Sequence, residues 1–281
     1  MISDLADGRG RLSILAIDHR DSLRQFLRPD DPDSLTADEI TALKVEIVGG
    51  VGDLATGVML EPEYSIPQVL DAGVMPDGVG FLAALESQGY LDDPEAAATS
   101  LLPGWTPAKA KRSGAASGKL LLPYRPDGRL AAEQEQVARE IVDECHANDF
   151  PIALEPLFYA LSDGDDRSAL VVETARRFAA MSPDLLKLPY PGHHKACEQV
   201  TEICAAHATM DRPLPWAMLS GGGSFDDFAE QFRIAAIAGC SGFMVGRALW
   251  GKAVRAPAAQ RARLLRDQVR PRFERLIALH G

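Results

Sequence analysis

We predict a single (β/α)8 barrel, in which eight parallel strands alternate with eight helices. The chain has 281 residues, 46% of them hydrophobic, which is enough for the large core of one barrel domain spanning residues 1–281. Eight short apolar runs recur along it, and amphipathic stretches separate most of them. Strands that are apolar along their whole length belong to a sheet covered on both faces, and such sheets are parallel.

The predicted strands occupy residues 12–18, 57–62, 80–87, 119–124, 151–158, 184–190, 215–222 and 241–247. A doubly wound open sheet is the alternative arrangement of such strands. That fold usually has a glycine-rich dinucleotide loop after its first strand, and the stretch AIDHRDSL at this place has none. We therefore favour the closed barrel.

Three predicted helices have distinct sequence signals. Residues 131–148 place four apolar side chains on one face at three- and four-residue spacing, namely Ala138, Ile141, Val142 and Cys145. Thr36 and Glu39 have the spacing of a capping box, which predicts that a helix begins there. Residues 224–239 begin with a Ser-x-x-Asp cap at Ser224 and end at a glycine.

Charge and composition exclude several classes of protein. The formal net charge of −11 argues against nucleic acid or an anionic membrane as the main partner. The N-terminal stretch lacks the apolar region of a signal peptide, and no apolar run approaches the length of a membrane span. The four cysteines form no Cys-x-x-Cys motif, so we expect reduced thiols in a cytoplasmic protein.

Charged and polar residues stand at or near the predicted strand ends: Asp18, Glu61, Glu86, Lys119, Glu155, Lys187, Ser220 and Arg247. In a barrel, the carboxyl ends of the strands surround the active site. Burying a charge costs free energy, so stability alone does not explain charges at six or more strands of an apolar core. Lys119 is the exception in position, because it opens its run.

Lys187 lies inside the apolar run DLLKLPYP, and two interpretations compete. Its amine either extends to the strand end, with no further role, or is kept out of water so that it acts as a nucleophile. A second ammonium at Lys119 would favour the neutral amine at Lys187. Glu155, on the preceding strand, would transfer protons.

A phosphate site is predicted after the last two strands. The turn LSGGGS leads into a capped helix, and a Gly-Arg pair ends the eighth strand. Backbone N–H groups, a helix N-terminus and a guanidinium together bind phosphate, and barrels commonly do so at this place. The predicted ligands are Ser220, Gly221, Gly222, Gly246 and Arg247. The alternative is a tight turn whose glycines serve only the backbone.

Six motifs in this order resemble the Schiff-base (class I) sugar-phosphate aldolases: ILAIDHR, KLLLPY, LEPLF, DLLKLPYP, LSGGGS and VGRALWG. The resemblance extends from the first predicted strand to the eighth and is greatest to the tagatose-1,6-bisphosphate aldolase group, with its sulfofructose-1-phosphate aldolase relatives. The stretches LESQGY and GWTPAKAKRSGA also look like that group. The resemblance implies a lyase that cleaves a ketose 1-phosphate to dihydroxyacetone phosphate and an aldehyde, without a cofactor or metal.

The resemblance also assigns roles to residues. It implies the Schiff-base lysine at Lys187, a second active-site lysine at Lys119, the acid/base glutamate at Glu155, the first-strand aspartate at Asp18, and phosphate ligands at Ser220, Gly221, Gly246 and Arg247. His19 stands where the group often has glutamine, and the chain is shorter than typical tagatose-bisphosphate aldolases. Both departures concern the far end of the substrate.

Several alternatives stay open from the sequence. Asp18 could cap the following helix. Glu155 could pair with a lysine in a purely structural role. The adjacent histidines His193 and His194 raise the alternative of a metal site. However, six scattered histidines without His-x-x-x-His spacing disfavour a metal-dependent aldolase. Residues considered for the far end of the substrate are His19, Arg20, Glu61, Glu63 and Glu86, with surface placement the alternative for the first two.

The reaction and the assembly also have alternatives. An isomerase or decarboxylase on the same scaffold would use Lys187 as a purely electrostatic group, and a phosphosugar-binding regulator would not turn substrate over. The sugar remains undetermined among tagatose, fructose and sulfofructose phosphates. Association of several copies through the outer helices is open as well.

Overall fold

The computed structural model describes residues 2–88, 93–208 and 214–280. Eight parallel strands form a closed barrel in chain order, with the last strand paired to the first. They are β1 (Leu12–Ala16), β2 (Gly57–Leu60), β3 (Gly80–Ala84), β4 (Ser117–Pro123), β5 (Ile152–Leu157), β6 (Leu185–Leu188), β7 (Trp216–Leu219) and β8 (Gly242–Val245). The predicted fold class is confirmed.

Each predicted run overlaps one strand, and all eight strands end before the run does. Charged residues follow several of these ends by one or two positions: Asp18 after β1, Glu61 after β2 and Glu86 after β3. β4 differs at its other end, because it begins at Ser117. Lys119 is therefore the third residue of its strand and not the first.

Helices cover the outside of the barrel. They are α1 (Asp21–Leu27), α2 (Ala37–Val51), α3 (Ile66–Asp71), α4 (Pro107–Arg112), α5 (Ala131–Ala147), α6 (Arg167–Ala179), α7 (His194–His207), α8 (Phe225–Ile237), α9 (Arg247–Arg255), α10 (Ala258–Leu264) and α11 (Arg270–Ala278). The predicted capping box of α2 is present, as is the Ser224 cap of α8. The four apolar side chains predicted on one face of α5 are all buried.

Two hydrophobic layers hold the barrel together. The larger layer lies between strands and helices, where the large buried side chains include Phe178, Phe232 and Trp250. The smaller layer fills the interior with inward side chains such as Ile14, Met59 and Leu185. Burial of these apolar side chains provides the main stabilisation of the fold.

A short 3-10 helix, Ile2–Leu5, covers the amino-terminal end of the barrel. Leu5 is completely buried and belongs to the same interior layer as Leu12 and Ile14. The interior is thus closed with apolar side chains at this end. Polar groups gather at the opposite, carboxyl-terminal end.

The four cysteines are free thiols and buried. Burial raises the pKa of the thiols of Cys197 and Cys204, to about 11 and about 12, so they stay protonated at neutral pH. None of the helices in the described residues is long and apolar enough to cross a membrane.

Candidate active site

Strand geometry explains why charged side chains converge inside the barrel. Successive residues of a strand point to opposite faces, so every second residue points inward. Ala153 and Leu185 belong to the interior layer, and Glu155 and Lys187 follow each of them by two residues. Asp18 likewise follows Ala16, and Glu86 follows Ala84. The carboxyl end of the barrel thus gains one inward charge from each of several strands.

Lys119 lies at the centre of these charges. Its Nζ is 2.7 Å from Asp18 Oδ2, 2.7 Å from Glu86 Oε1 and 3.2 Å from Glu155 Oε2, and its side chain is 1% exposed. The second Glu86 oxygen accepts a hydrogen bond from the backbone N–H of Leu121 at 3.1 Å. The three carboxylates stabilise the buried ammonium, whose isolated burial would be costly.

Lys187 stands beside this group. Its Nζ lies 2.6 Å from Glu155 Oε1 and 3.7 Å from Met59 Sδ, and the side chain is 7% exposed. The amine therefore faces the interior and does not extend to bulk water. Glu155 bridges the two lysines with its two oxygens. We refer to Asp18, Glu86, Lys119, Glu155 and Lys187 as the charge cluster.

Asp18 is a carboxylate in this setting. Burial acts to raise its pKa, but the ammonium groups of Lys119 and Lys187 outweigh that effect and hold the pKa well below its usual range. The interpretation of Asp18 as a helix cap is wrong. Arg20 occupies the cap position of α1, and no side chain caps that helix.

The glycine-rich turn and the Gly-Arg pair lie at the same end of the barrel. Gly221 and Gly222 have φ values of 56° and 79°, a left-handed conformation that glycine adopts readily. Arg247 begins α9, and its Nη1 lies 3.4 Å from the carbonyl oxygen of Ser22. A methyl group on Gly246 would lie 2.7 Å from His19 Cε1. Close packing therefore requires glycine at 246.

These groups line one cavity of about 140 Å³. Its lining includes Asp18, His19, Glu86, Glu155, Lys187, Ser220, Gly221, Gly222, Gly246 and Arg247, together with Ser22, Gln88 and several apolar residues. Lys119 reaches the same carboxylates from behind the lining. The cavity thus joins a buried amine, three carboxylates and the glycine-rich turn.

His19 lies on the side of the cavity formed by the Gly-Arg pair. Its ring meets the Trp250 ring edge-on at 5.4 Å between centroids and packs against Gly246. Burial lowers the pKa of His19 to about 3, and the positive charges of Arg247 and Lys187 act in the same direction against the attraction of Asp18. The imidazole is therefore neutral at physiological pH.

The structure places Glu61 and Arg20 outside the cavity lining, in contrast to the substrate contacts expected from their positions. Glu61 is completely buried, and its carboxylate contacts Lys44 Nζ of α2 at 2.5 Å. Arg20 is 1% exposed and contacts Glu63 and Glu86. Each side chain instead contacts partners of opposite charge, Lys44 for Glu61 and Glu63 with Glu86 for Arg20. Surface placement of Arg20 is equally wrong.

A family model for DeoC/LacD aldolases matches residues 12–252. The chain belongs to the DeoC/LacD aldolase family. It is therefore an aldolase, a lyase of carbohydrate metabolism. Tagatose 1,6-diphosphate aldolase 1 of Streptococcus pyogenes serotype M3 (strain SSI-1) is 31% identical to it over 278 residues, covering 88% of this chain and 82% of the relative. Tagatose 1,6-diphosphate aldolase 2 of serotype M1 is 30% identical with the same coverage.

Solved structures share the fold of this aldolase. A Schiff-base-forming fructose-1,6-bisphosphate aldolase superposes with a TM-score of 0.68 at 18% identity, covering 100% of this chain and 99% of the other. Fructose-bisphosphate aldolase from Plasmodium falciparum superposes with a TM-score of 0.71 at 16% identity, covering 100% and 95%. At such identities the superpositions establish the barrel architecture.

Some residues at the cavity were not predicted from the sequence, and two predicted histidines lie outside it. Ser22, Gln88 and Met59 contact the cavity or the amine, and only the inward alternation of β2 would have indicated Met59. His193 caps α7, and His194 lies near Glu198 on the same helix. In the described parts of the chain, no three His, Cys, Asp or Glu side chains are grouped so that they could hold a metal ion. The predicted LESQGY motif ends in residues outside the described ranges.

Proposed function

We propose that this aldolase cleaves a ketose 1-phosphate through a Schiff base on Lys187. The observation that carries the proposal is the 2.6 Å contact between Lys187 Nζ and Glu155, inside the cavity that also contains the glycine-rich turn. A buried amine with an adjacent acid is the arrangement needed for attack on a carbonyl group. The same cavity binds the phosphate that holds the carbonyl in place.

The phosphate of the substrate binds at the carboxyl ends of β7 and β8. Backbone N–H groups of Gly221, Gly222 and Gly246 contact its oxygens, as does the Ser220 residue that begins the turn. The Arg247 guanidinium and the N-terminus of α9 favour the negative charge. Fixing the phosphate orients the C2 carbonyl toward Lys187, which lowers the entropic cost of the reaction.

Schiff-base formation begins when the neutral amine of Lys187 attacks C2 and forms a carbinolamine. Glu155 accepts the proton that the Lys187 ammonium gives up before the attack and passes it to the departing C2 hydroxyl, and water leaves as the iminium forms. Lys119, 3.2 Å from the other oxygen of Glu155, stabilises the carboxylate that remains. The iminium nitrogen now accepts the electron pair released in the next step.

Cleavage follows at the C3–C4 bond. Asp18 accepts the proton of the C4 hydroxyl, the bond breaks, and its electrons move into the iminium to give an enamine. The aldehyde formed from C4 onward leaves. Protonation of the enamine at C3 and hydrolysis by water release dihydroxyacetone phosphate and free Lys187. All steps use side chains of the charge cluster, and none requires a cofactor.

The substrate class rests on the relatives. The curated relatives are named for tagatose 1,6-diphosphate, and the structural neighbours for fructose 1,6-bisphosphate. We infer that the substrate is one of these bisphosphates or 6-deoxy-6-sulfofructose 1-phosphate. They differ at C4 or at the C6 group, beyond the part of the substrate that the phosphate turn and Lys187 hold.

Reductive trapping tests the proposal. The protein is treated with dihydroxyacetone phosphate and borohydride, and its peptides are analysed by mass spectrometry. We expect an adduct on the peptide containing Lys187 and none in Lys187→Met, whereas Lys195→Met, which alters an exposed lysine nearby, is labelled like the wild type. Phosphosugar binding without an adduct would refute the Schiff base and favour an isomerase or decarboxylase. Binding without any turnover would favour a regulator.

A further inference from the structure

The charge cluster contains three carboxylates and two lysines, so its buried charges balance only with a third cation. Within the described residues, Glu86 has a second cation besides Lys119, namely Arg20. Arg20 Nη2 donates to the Glu86 carbonyl oxygen at 2.7 Å and lies 3.9 Å from Glu86 Oε1. The guanidinium therefore touches the residue that holds Lys119, without entering the cavity itself.

Arg20 is fixed from its other side. Nη1 donates to Glu63 Oε2 at 2.7 Å. The Gln88 amide, with its oxygen turned toward the guanidinium, accepts from Nη2 at 2.8 Å. Although burial opposes the charged form, Glu86 and Glu63 raise the pKa of Arg20, so it stays cationic. A planar guanidinium held at several N–H groups has little freedom to move.

The loop that carries Glu63 is itself rigid. The buried Glu61 carboxylate accepts hydrogen bonds from the backbone N–H groups of Glu63 and Tyr64 and from the Ser65 hydroxyl. Lys44 neutralises that carboxylate. Glu63 is thus presented to Arg20 by a turn folded around a buried charge, and its side chain is 39% exposed to solvent.

We propose that Arg20, held by Glu63, is a positioning residue that keeps the electrostatic balance of the two active-site lysines. This inference rests on the proposed Schiff-base function. Through Glu86, Arg20 offsets one carboxylate of the charge cluster. Lys119 then balances Asp18, and Lys187 can pass its proton to Glu155, which gives a neutral amine without leaving a net charge in the cluster.

Removing the charge of Arg20 and removing the charge of Glu63 should therefore shift the protonation of Lys187 in opposite directions. Without the Arg20 charge, the cluster becomes more negative, both lysines are stabilised as ammonium ions, and less neutral amine is present at a given pH. Without the Glu63 charge, the surroundings of Arg20 become more positive, and the neutral amine of Lys187 is favoured. A purely structural role would change the rate of both variants without moving their pH profiles apart.

Charged or titratable groups from several strand ends face Lys187 and Arg20. Those facing Lys187 are Glu155 of β5, Lys119 of β4, Asp18 and His19 after β1, and Arg247 after β8. Those facing Arg20 are Glu86 after β3, Glu61 and Glu63 after β2, and Lys44 of α2. The substitutions below change one charge at a time against this fixed background.

The experiment measures how the rate of adduct formation with dihydroxyacetone phosphate depends on pH, using cyanoborohydride, which reduces the iminium alone. In Arg20→Met we expect the acid limb of the profile to move up by about one pH unit, as expected for loss of one nearby charge in a partly buried site. In Arg20→Lys, which retains the charge, it stays near the wild-type position. In Glu63→Gln it moves down by about 0.3 unit, because solvent screens the half-exposed carboxylate.

Glu46→Gln is the matched control, since Glu46 also pairs with an arginine, Arg261, at 3.0 Å, but on the outer surface. Its profile coincides with that of the wild type. Shifts of Arg20→Met and Glu63→Gln in the same direction, or no shift in either, would overturn the inference while leaving the Schiff base in place. If Arg20→Met does not fold, Glu63→Gln against Glu46→Gln decides alone. A wild-type protein without any adduct would overturn both proposals.

Discussion

Replacing Lys44 with methionine tests whether the Glu61–Lys44 pair supports the fold and not the substrate. Both side chains are at most 1% exposed, and their charged atoms are 2.5 Å apart. Removing one member of a buried pair leaves the other charge uncompensated, which costs about 3–5 kcal/mol. Glu61 retains hydrogen bonds from Ser65, Glu63 and Tyr64, so we expect the lower value, about 3 kcal/mol.

For a chain of this size, about 3 kcal/mol corresponds to a fall in Tm of about 6 °C. Urea titration and thermal melting followed by circular dichroism measure the loss. The double variant Lys44→Met with Glu61→Gln removes both charges and recovers most of the stability, because no buried charge is left unpaired. KM stays at the wild-type value, since neither side chain lines the cavity. An unchanged Tm together with a tenfold higher KM would refute this argument and return Glu61 to the substrate site.

Three further changes test the site itself. Glu155→Gln removes the proton donor beside Lys187 and lowers kcat by about 10²–10⁴-fold, while slow adduct formation persists in single-turnover trapping; an unaffected kcat would exclude Glu155 as the acid. Gly246→Ala places a methyl group 2.7 Å from His19 Cε1, so the phosphate site must distort, and KM for the ketose phosphate rises about tenfold or more. A KM equal to that of the wild type would show that phosphate binds elsewhere. Because the pKa of His19 falls from 6.5 to about 3 on folding, the unfolded chain binds the extra proton in this range, and folding stability declines as pH falls from 6.5 toward 3. His19→Gln has a smaller loss of urea midpoint between pH 7 and pH 4.5, and an identical loss in both proteins would contradict a buried neutral imidazole.

The barrel was predictable because its signal is repeated. Eight apolar runs, most of them separated by helical stretches, leave few folds open, and a single misplaced boundary does not change the outcome. The inward charges were predictable for a related reason, since residues two positions beyond an inward apolar residue point to the same side. Asp18, Glu155 and Lys187 all follow this rule.

The partners of buried charges were harder to predict. Glu61 fits the inward alternation of β2, yet its carboxylate contacts a lysine on α2. The sequence does contain a signal for this, because Lys44 lies four residues from both Ile40 and Val48 on the apolar face of the helix. A lysine within such a face indicates a buried acidic partner. Arg20 had no comparable signal, since its partners come from loops far away in the chain.

The charge cluster is divided between the two halves of the barrel. Asp18, Glu86 and Lys119 come from the first four strand units, whereas Glu155 and Lys187 come from the last four. A half-barrel thus contains either the central lysine or the amine beside it, and never both. Activity regained during refolding consequently requires that both halves of the barrel have come together. An enzyme assay during refolding therefore measures how fast the two halves of the barrel assemble.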